Sequence, residues 1–253
     1  MDPGRTVLVV DDDDVNRTLA VRQLAKLGYS AEAVSGGREA IEFVRRSPPS
    51  AVFLDVHMSD MDGFETARAI RTFEEESGSV RIPIIARTAS VTPDDRRACK
   101  EAGMDDFIGK PVMLEELAEV LVRWVGEPAG EPRAGPQAGA GTGRTPGDPG
   151  LDRLRAELDP ETLSRLAGLY VERLPEREAA IQDAVANDDP AALREAAHAL
   201  KSAASAFYAT KLIELCRQVE ELGRSGTTGG AAGKLDSLRR ESERVANAVA
   251  ELR

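Results

Sequence analysis

The chain has 253 residues and a formal net charge of −11, a length suited to two domains and a charge unsuited to nucleic acid or an anionic membrane as partner. Its two cysteines, Cys99 and Cys216, lie far apart, which predicts reduced thiols rather than a disulfide framework. No apolar run approaches the roughly 18 residues of a membrane span, and the first residues lack the basic-then-apolar order of a signal peptide, so a soluble cytoplasmic protein is expected.

From the N-terminus, strand and helix patterns alternate five times. Thr6–Val10 predicts a strand, and Val15–Leu27 a helix with apolar Val15, Leu19, Leu24 and Leu27, ended by Gly28. Ser30–Val34 and Arg38–Arg46 form the second pair. Ala51–Asp55 is short and apolar up to its final acid, the pattern of a strand buried on both faces of a parallel sheet. Asp62 with Glu65 three residues on predicts a capping box opening a helix over Gly63–Glu76. Pro83–Thr88 is the fourth strand, and Thr92-Pro93 places a cap and an N1 proline before a helix over Asp94–Ala102. Asp106–Gly109 and Leu114–Val125 complete the series. This (βα)5 alternation predicts a doubly wound α/β fold with a parallel sheet and helices on both faces, over residues 1–125.

Residues 126–150 hold eight Gly and five Pro and no branched aliphatic or aromatic side chain, so they predict a flexible linker. Beyond it, residues 151–253 carry no strand signal. Asp159-Pro160 and Asp189-Pro190 are helix starts, each an acid that caps and a proline that needs no N–H donor. Helices are expected at about Leu151–Leu158, Glu161–Ala186, Ala191–Phe207, Thr210–Leu222 and Leu235–Leu252. Apolar stripes such as Leu163, Leu166, Leu169 and Tyr170, or Leu212, Leu215, Cys216, Val219 and Leu222, fit an all-α antiparallel bundle.

The chemistry of the first domain gathers at strand ends. Strand one runs into Asp11-Asp12-Asp13-Asp14 and strand three into Asp55. Neighbouring strands one and three would bring Asp11, Asp12 and Asp55 into one crevice beyond the carboxyl ends of the sheet. Carboxylates so crowded repel unless a cation joins them, and hard oxygen ligands suit Mg²⁺. Thr88 ends strand four with a hydroxyl, and Lys110 follows strand five with an ammonium. Metal, hydroxyl and ammonium together suit phosphoryl transfer.

The segments VVDDDDVNR, VFLDVHMSDMDG, IPIIARTAS and DDFIGKPV resemble the signature segments of the response-regulator receiver domain, a flavodoxin-like fold. The resemblance implies that Asp55 is the phosphorylated aspartate and that Asp11 and Asp12 are the acidic pair, with Asp12 the direct Mg²⁺ ligand. It adds the His57 backbone carbonyl as a further Mg²⁺ ligand, Thr88 and Phe107 as the switch pair, and Lys110 as the phosphate partner. It also implies a cis Lys110-Pro111 peptide. Arg87 stands before Thr88 where that family usually has an apolar residue.

In the second domain, Leu193, Ala197, Leu200, Ala204 and Phe207 share one helical face, so His198 is expected on the exposed face with Arg194, Glu195, Lys201, Ser202 and Ser205. A neutral imidazole there can act as nucleophile, with Lys201 one turn on. AAHALKSAASAFYATKL resembles the motif of histidine-phosphotransfer (HPt) domains, which implies that His198 is a phosphohistidine site and Lys201 its supporting cation.

Together these readings describe a two-component phosphorelay protein that takes phosphate on Asp55 from a sensor histidine kinase or phosphotransfer protein and relays it through His198. A downstream receiver or HPt protein is a further expected partner. The sequence has no G-x-x-x-x-G-K-[ST] loop and no evident ATP site, so no kinase activity is expected. An Asp-nucleophile phosphatase fits poorly, since His57 rather than a second acid stands two residues after Asp55. The alternatives are a switch in which the receiver regulates partner binding by the helical domain, or a phosphate sink.

Overall fold

The structure, a computed structural model, describes residues 6–58, 60–88, 93–128 and 149–252. The chain divides into two compact units, Met1–Ala134 and Gly135–Arg253. Most of the Gly/Pro-rich segment, and the expected cap Thr92, lie outside the described residues.

The first unit is a five-stranded parallel sheet of β1 (Thr6–Val10), β2 (Ser30–Val34), β3 (Ala51–Asp55), β4 (Ile84–Thr88) and β5 (Asp106–Gly109), in the order β2-β1-β3-β4-β5. Helices α1 (Asp14–Lys26), α2 (Gly37–Arg46), α3 (Gly63–Ser77), α4 (Pro93–Glu101) and α5 (Leu114–Trp124) connect and cover the strands. The order reverses between β1 and β3, so their ends open the crevice the sequence predicts. Strand alternation divides the core in two. Leu8, Val52, Leu54 and Ile84 pack with Val44, Ala67 and Ile70 of α2 and α3, while Val7, Val9, Phe53 and Ile85 pack with Leu24, Leu117 and Leu121 of α1 and α5. All five residues of β3 are buried, as a central parallel strand requires.

Local chemistry sets the ends. Asp13 caps α1 by accepting from Asn16 N–H at 3.0 Å, which starts the helix at Asp14. The capping box of α3 forms as expected: Asp62 Oδ1 accepts from Glu65 N–H at 2.7 Å, and Glu65 Oε2 from Asp62 N–H at 3.3 Å. Pro83 has no N–H and stands outside β4, though its carbonyl still accepts from Val52 at 2.8 Å. At the N-terminal side of the sheet, Arg71 of α3 donates to the Gly103 and Ile82 carbonyls and to the carboxylates of Glu74 and Asp105, at 2.6–2.9 Å. Both cysteines are free and buried.

The second unit is helical: α6 (Pro149–Glu157), α7 (Pro160–Ala186), α8 (Pro190–Ser205), α9 (Thr210–Arg224) and α10 (Ala232–Ala250). Asp159 and Asp189 cap α7 and α8, accepting from Thr162 and Ala192 N–H at 2.9 and 3.0 Å. Helix α6 opens two residues inside the Gly/Pro-rich stretch. Gly150 lies so close to the end of α8 that an added Cβ would stand 2.5 Å from Tyr208 Cβ and 2.9 Å from the Phe207 carbonyl. Of the expected stripes, Leu163, Leu166, Tyr170, Leu212, Cys216 and Val219 are buried in the core and Leu169, Leu215 and Leu222 half-buried, with Tyr170 meeting Phe207 edge to face at 5.0 Å.

One expectation is overturned. Lys201, Ser202 and Ser205 are buried along with Ala203, and only 15% of the His198 side chain is exposed. Around His198 and Lys201 the polar side of α8 is therefore covered, with Glu220 of α9 against it, while Arg194 and Glu195 are exposed as expected. Gly223 allows the close approach: a Cβ there would stand 2.6 Å from the Pro190 carbonyl and 2.7 Å from the Arg194 nitrogen. Among the described residues no helix is long and apolar enough to cross a membrane.

The substitution Gly223→Ala is expected to destabilise the helical unit by roughly 1–3 kcal/mol, because backbone atoms must move to admit the methyl group. Urea unfolding followed by helical circular dichroism checks this. Fluorescence of Trp124, the sole tryptophan, reports the sheet unit and is expected to keep its midpoint.

Candidate functional site

Asp11, Asp55, Arg87 and Lys110 converge at the carboxyl ends of β1, β3, β4 and β5. Asp55 and Arg87 are register partners across β3 and β4. Alternation places both on the side of the sheet occupied by Phe53 and Ile85. Lys110 Nζ donates to Asp55 Oδ2 at 2.6 Å and to Asp11 Oδ2 at 2.9 Å, and Arg87 Nη1 donates to the same Asp11 oxygen at 3.1 Å. Asp11 Oδ1 accepts from Asp13 N–H at 3.0 Å, and Asp55 Oδ1 from His57 N–H at 3.3 Å. Asp11, Asp55, Arg87 and Lys110 all have side chains exposed by 5% or less.

Burial at this depth acts on every charge. It pushes the Asp11 carboxyl up, but the Lys110 and Arg87 charges outweigh it and hold Asp11 below the usual carboxylate range. Burial raises Asp55 to about 6; Lys110 opposes the rise and Asp11 adds to it. Burial alone would lower the Lys110 ammonium, yet Asp11 and Asp55 together hold it above its ordinary value.

Asp12 is exposed, and one oxygen from each of Asp11, Asp12 and Asp55 lies within 4.8 Å of the others. Three hard oxygen donors, one on an open side, fit a small divalent cation such as Mg²⁺. Thr88 is buried at the end of β4, and its carbonyl accepts from Lys110 N–H at 2.7 Å, which ties the two sequence-predicted residues together through the backbone. The Lys110-Pro111 peptide is cis. Phe107 is half-buried in register with Ala86 of β4, and the guanidinium of Arg96 from α4 stacks 4.4 Å from its ring centre.

The helical unit holds a second cluster. His198 Nδ1 lies 3.1 Å from Glu220 Oε1, and Lys201 Nζ donates to Glu220 Oε2. Glu220 is 4% exposed, and Arg224 lies 3.4 Å from its Oε1. Burial pushes the Glu220 carboxyl up, but hydrogen bonds from His198 and Lys201 overcome it and hold the group at about 2. An ionised carboxylate only accepts hydrogen bonds, so the His198 nitrogen facing it is the protonated Nδ1, and a neutral ring then carries its lone pair on Nε2.

Two residues escape the sequence reading. Arg87 is visible there as a departure, but not as a neighbour of Asp11. Glu220 is not singled out at all, though a signal exists: it follows Cys216 by four and Leu212 by eight residues, on the buried side of α9.

Residues 7–122 match the family model of the response regulator receiver domain, and residues 165–253 match that of the Hpt domain. Both are signalling domains, and neither is a kinase domain. The sensor protein GacS of Pseudomonas syringae pv. syringae is 33% identical over 221 residues, covering 85% of this chain and 24% of GacS. Hybrid signal transduction histidine kinase L of Dictyostelium discoideum is 39% identical over 121 residues, covering 47% of this chain and 7% of that protein. Response regulator MprA of Mycolicibacterium vanbaalenii is 40% identical over 111 residues, covering 44% of this chain and 46% of MprA. The chain thus spans a quarter or less of the length of GacS and of hybrid signal transduction histidine kinase L.

The His198–Glu220–Lys201 cluster has a consequence for acid stability. Glu220 titrates at about 2 in the folded chain against an ordinary 4.5. Its contribution is therefore present above about pH 4.5 and is lost as pH falls towards 2. Thermal unfolding of the helical unit from pH 5 to pH 3 is expected to show a smaller loss of midpoint in Glu220→Gln than in the unaltered chain.

Proposed function

Because the chain joins a response regulator receiver domain to an Hpt domain, we propose that it is a phosphorelay component of a two-component system, with Asp55 and His198 as its two phosphorylated residues. In this reading the receiver occupies residues 1–125, a flexible linker 126–150 and the HPt bundle 151–253. The observation that carries the relay is the cluster around His198. Glu220 orients the ring through Nδ1, which makes Nε2 the phosphoryl acceptor, and Lys201 supplies a cation one helical turn away.

A sensor histidine kinase or a phosphotransfer protein supplies the phosphoryl group. An Asp55 carboxylate oxygen attacks phosphorus, the P–N bond of the donor phosphohistidine breaks, and its electron pair stays on the donor imidazole. Lys110, 2.6 Å from Asp55, lies close enough to pair with a phosphoryl oxygen. In this reading Thr88, at the end of β4, donates a hydroxyl hydrogen bond to the phosphoryl group. Asp11, Asp12, Asp55 and the His57 carbonyl would hold Mg²⁺, which supplies charge neutralisation to the transfer when bound. A downstream receiver or HPt protein completes the route. The whole takes place in the cytoplasm, without ATP hydrolysis by this chain.

A second reading is a switch in which phosphorylation alters what the helical domain binds. The half-buried Phe107 favours it, since its ring packs against the core while the exposed Arg96 guanidinium stacks on it 4.4 Å from the ring centre. Beryllofluoride with Mg²⁺ mimics the phosphoryl group, and unchanged partner binding on its addition argues against the switch.

For the relay, a histidine kinase of the GacS type is labelled with ³²P and mixed with the full chain. Asp55→Ala is expected to lower label on the receiver at least tenfold. His198→Ala is expected to abolish onward transfer to a second receiver while Asp55 still labels. Onward transfer by His198→Ala at the unaltered rate overturns the relay. Removal of divalent cations with EDTA is expected to suppress Asp55 labelling, with recovery on adding Mg²⁺.

A further inference from the structure

We propose that Arg87 is a built-in counter-ion of the acidic pocket, one that competes with a divalent cation for the charge of Asp11, and that it thereby holds the pocket's metal affinity low. The inference rests on the reading of Asp11, Asp12 and Asp55 as a Mg²⁺ site.

Arg87 is out of keeping with its strand. Ile84, Ile85 and Ala86 before it are fully buried and apolar, yet Arg87 is itself only 4% exposed. A buried guanidinium is costly unless paired. Its partner is the carboxylate of Asp11, which is wholly buried. Asp11 Oδ2 already accepts from both Arg87 Nη1 and Lys110 Nζ, and Asp11 Oδ1 accepts from Asp13 N–H. A carboxylate oxygen offers about two lone pairs, so Oδ2 is filled. A cation that binds through Oδ2 has to break one of these two hydrogen bonds. The contact to Lys110 is the shorter and is supported by Asp55 from the other side. For a cation on Oδ2, the longer contact to Arg87 is the one that yields; for a cation on Oδ1, the Arg87 charge still opposes it.

Charge leads the same way. Asp11, Asp12 and Asp55 carry three negative charges when ionised. Lys110 and Arg87 return two positive ones, so an incoming divalent cation meets a net charge of −1 rather than −2. At separations of about 5 Å and an effective dielectric near 20, one unit charge is ample to shift cation affinity roughly tenfold or more.

The test uses the full chain and MgCl₂ alone. Isothermal titration measures Mg²⁺ affinity in the unaltered chain, in Arg87→Met and in Arg87→Gln, each checked for folding by circular dichroism. Both variants are expected to bind Mg²⁺ roughly tenfold tighter or more. In the unaltered chain, the ¹⁵N resonance of Arg87 Nε is expected to move as MgCl₂ saturates the site and to stay in place with NaCl of equal ionic strength. It is assigned by through-bond correlation to the Arg87 backbone in the unaltered chain, and it decides alone if neither variant folds. Equal affinity in the unaltered chain and a folded variant, or an Arg87 resonance that bound Mg²⁺ leaves unmoved, overturns the inference. Absence of Mg²⁺ binding by all three proteins overturns the metal reading and the inference with it.

Discussion

Two carboxylates are buried as charges at the ends of adjacent parallel strands, and the ammonium of Lys110 makes that arrangement tolerable. Asp11 and Asp55 on their own would repel in a site closed to water. Lys110 bonds both. The rest of the sheet unit serves to bring these groups together: the reversal of strand order between β1 and β3 opens the crevice, and β5 ends one residue before the lysine. Burial, with a smaller push from Asp11, raises Asp55 to about 6 against the pull of Lys110. Any cation added among the carboxylates favours the ionised form of Asp55, so cation binding and that ionisation are linked.

The helical unit solves a related problem with different parts. Glu220 fixes the tautomer of His198 and keeps the Lys201 ammonium beside it, holding both with its two oxygens. Burying Glu220 is tolerable only because both oxygens are occupied. The close packing of α8 and α9, permitted by Gly223, brings these groups within hydrogen-bond reach. The geometry around His198 therefore depends on helix contact at some distance from the ring.

Patterns local in sequence were legible. The five strands, the α3 capping box, the proline-led helix starts and the apolar stripes each rest on spacing of a few residues. The strand-end residues Asp11, Asp55, Thr88 and Lys110 were legible because a parallel sheet sends every such position to one edge. What could not be read was which polar residue meets which. Arg87 reaches Asp11 across 76 residues, and Lys201 reaches Glu220 across 19. A helical wheel showed His198, Lys201 and Ser202 as an outward polar face, because it cannot know that a second helix with an acid in register will cover that face. β4 began one residue late for a simpler reason, the missing N–H of Pro83.

The two ends of the sheet are built to different purposes. At the N-terminal side, Arg71 ties two carbonyls and two carboxylates into one closed knot in which opposite charges meet and every bond joins parts of the frame. At the other end the charges meet in a crevice, with one acid still facing water. The knot anchors α3 to the segments that lead into β4 and β5. Charges at the open edge can then be rearranged by modification, by ion exchange or by substitution over evolutionary time, with the frame held from the far side.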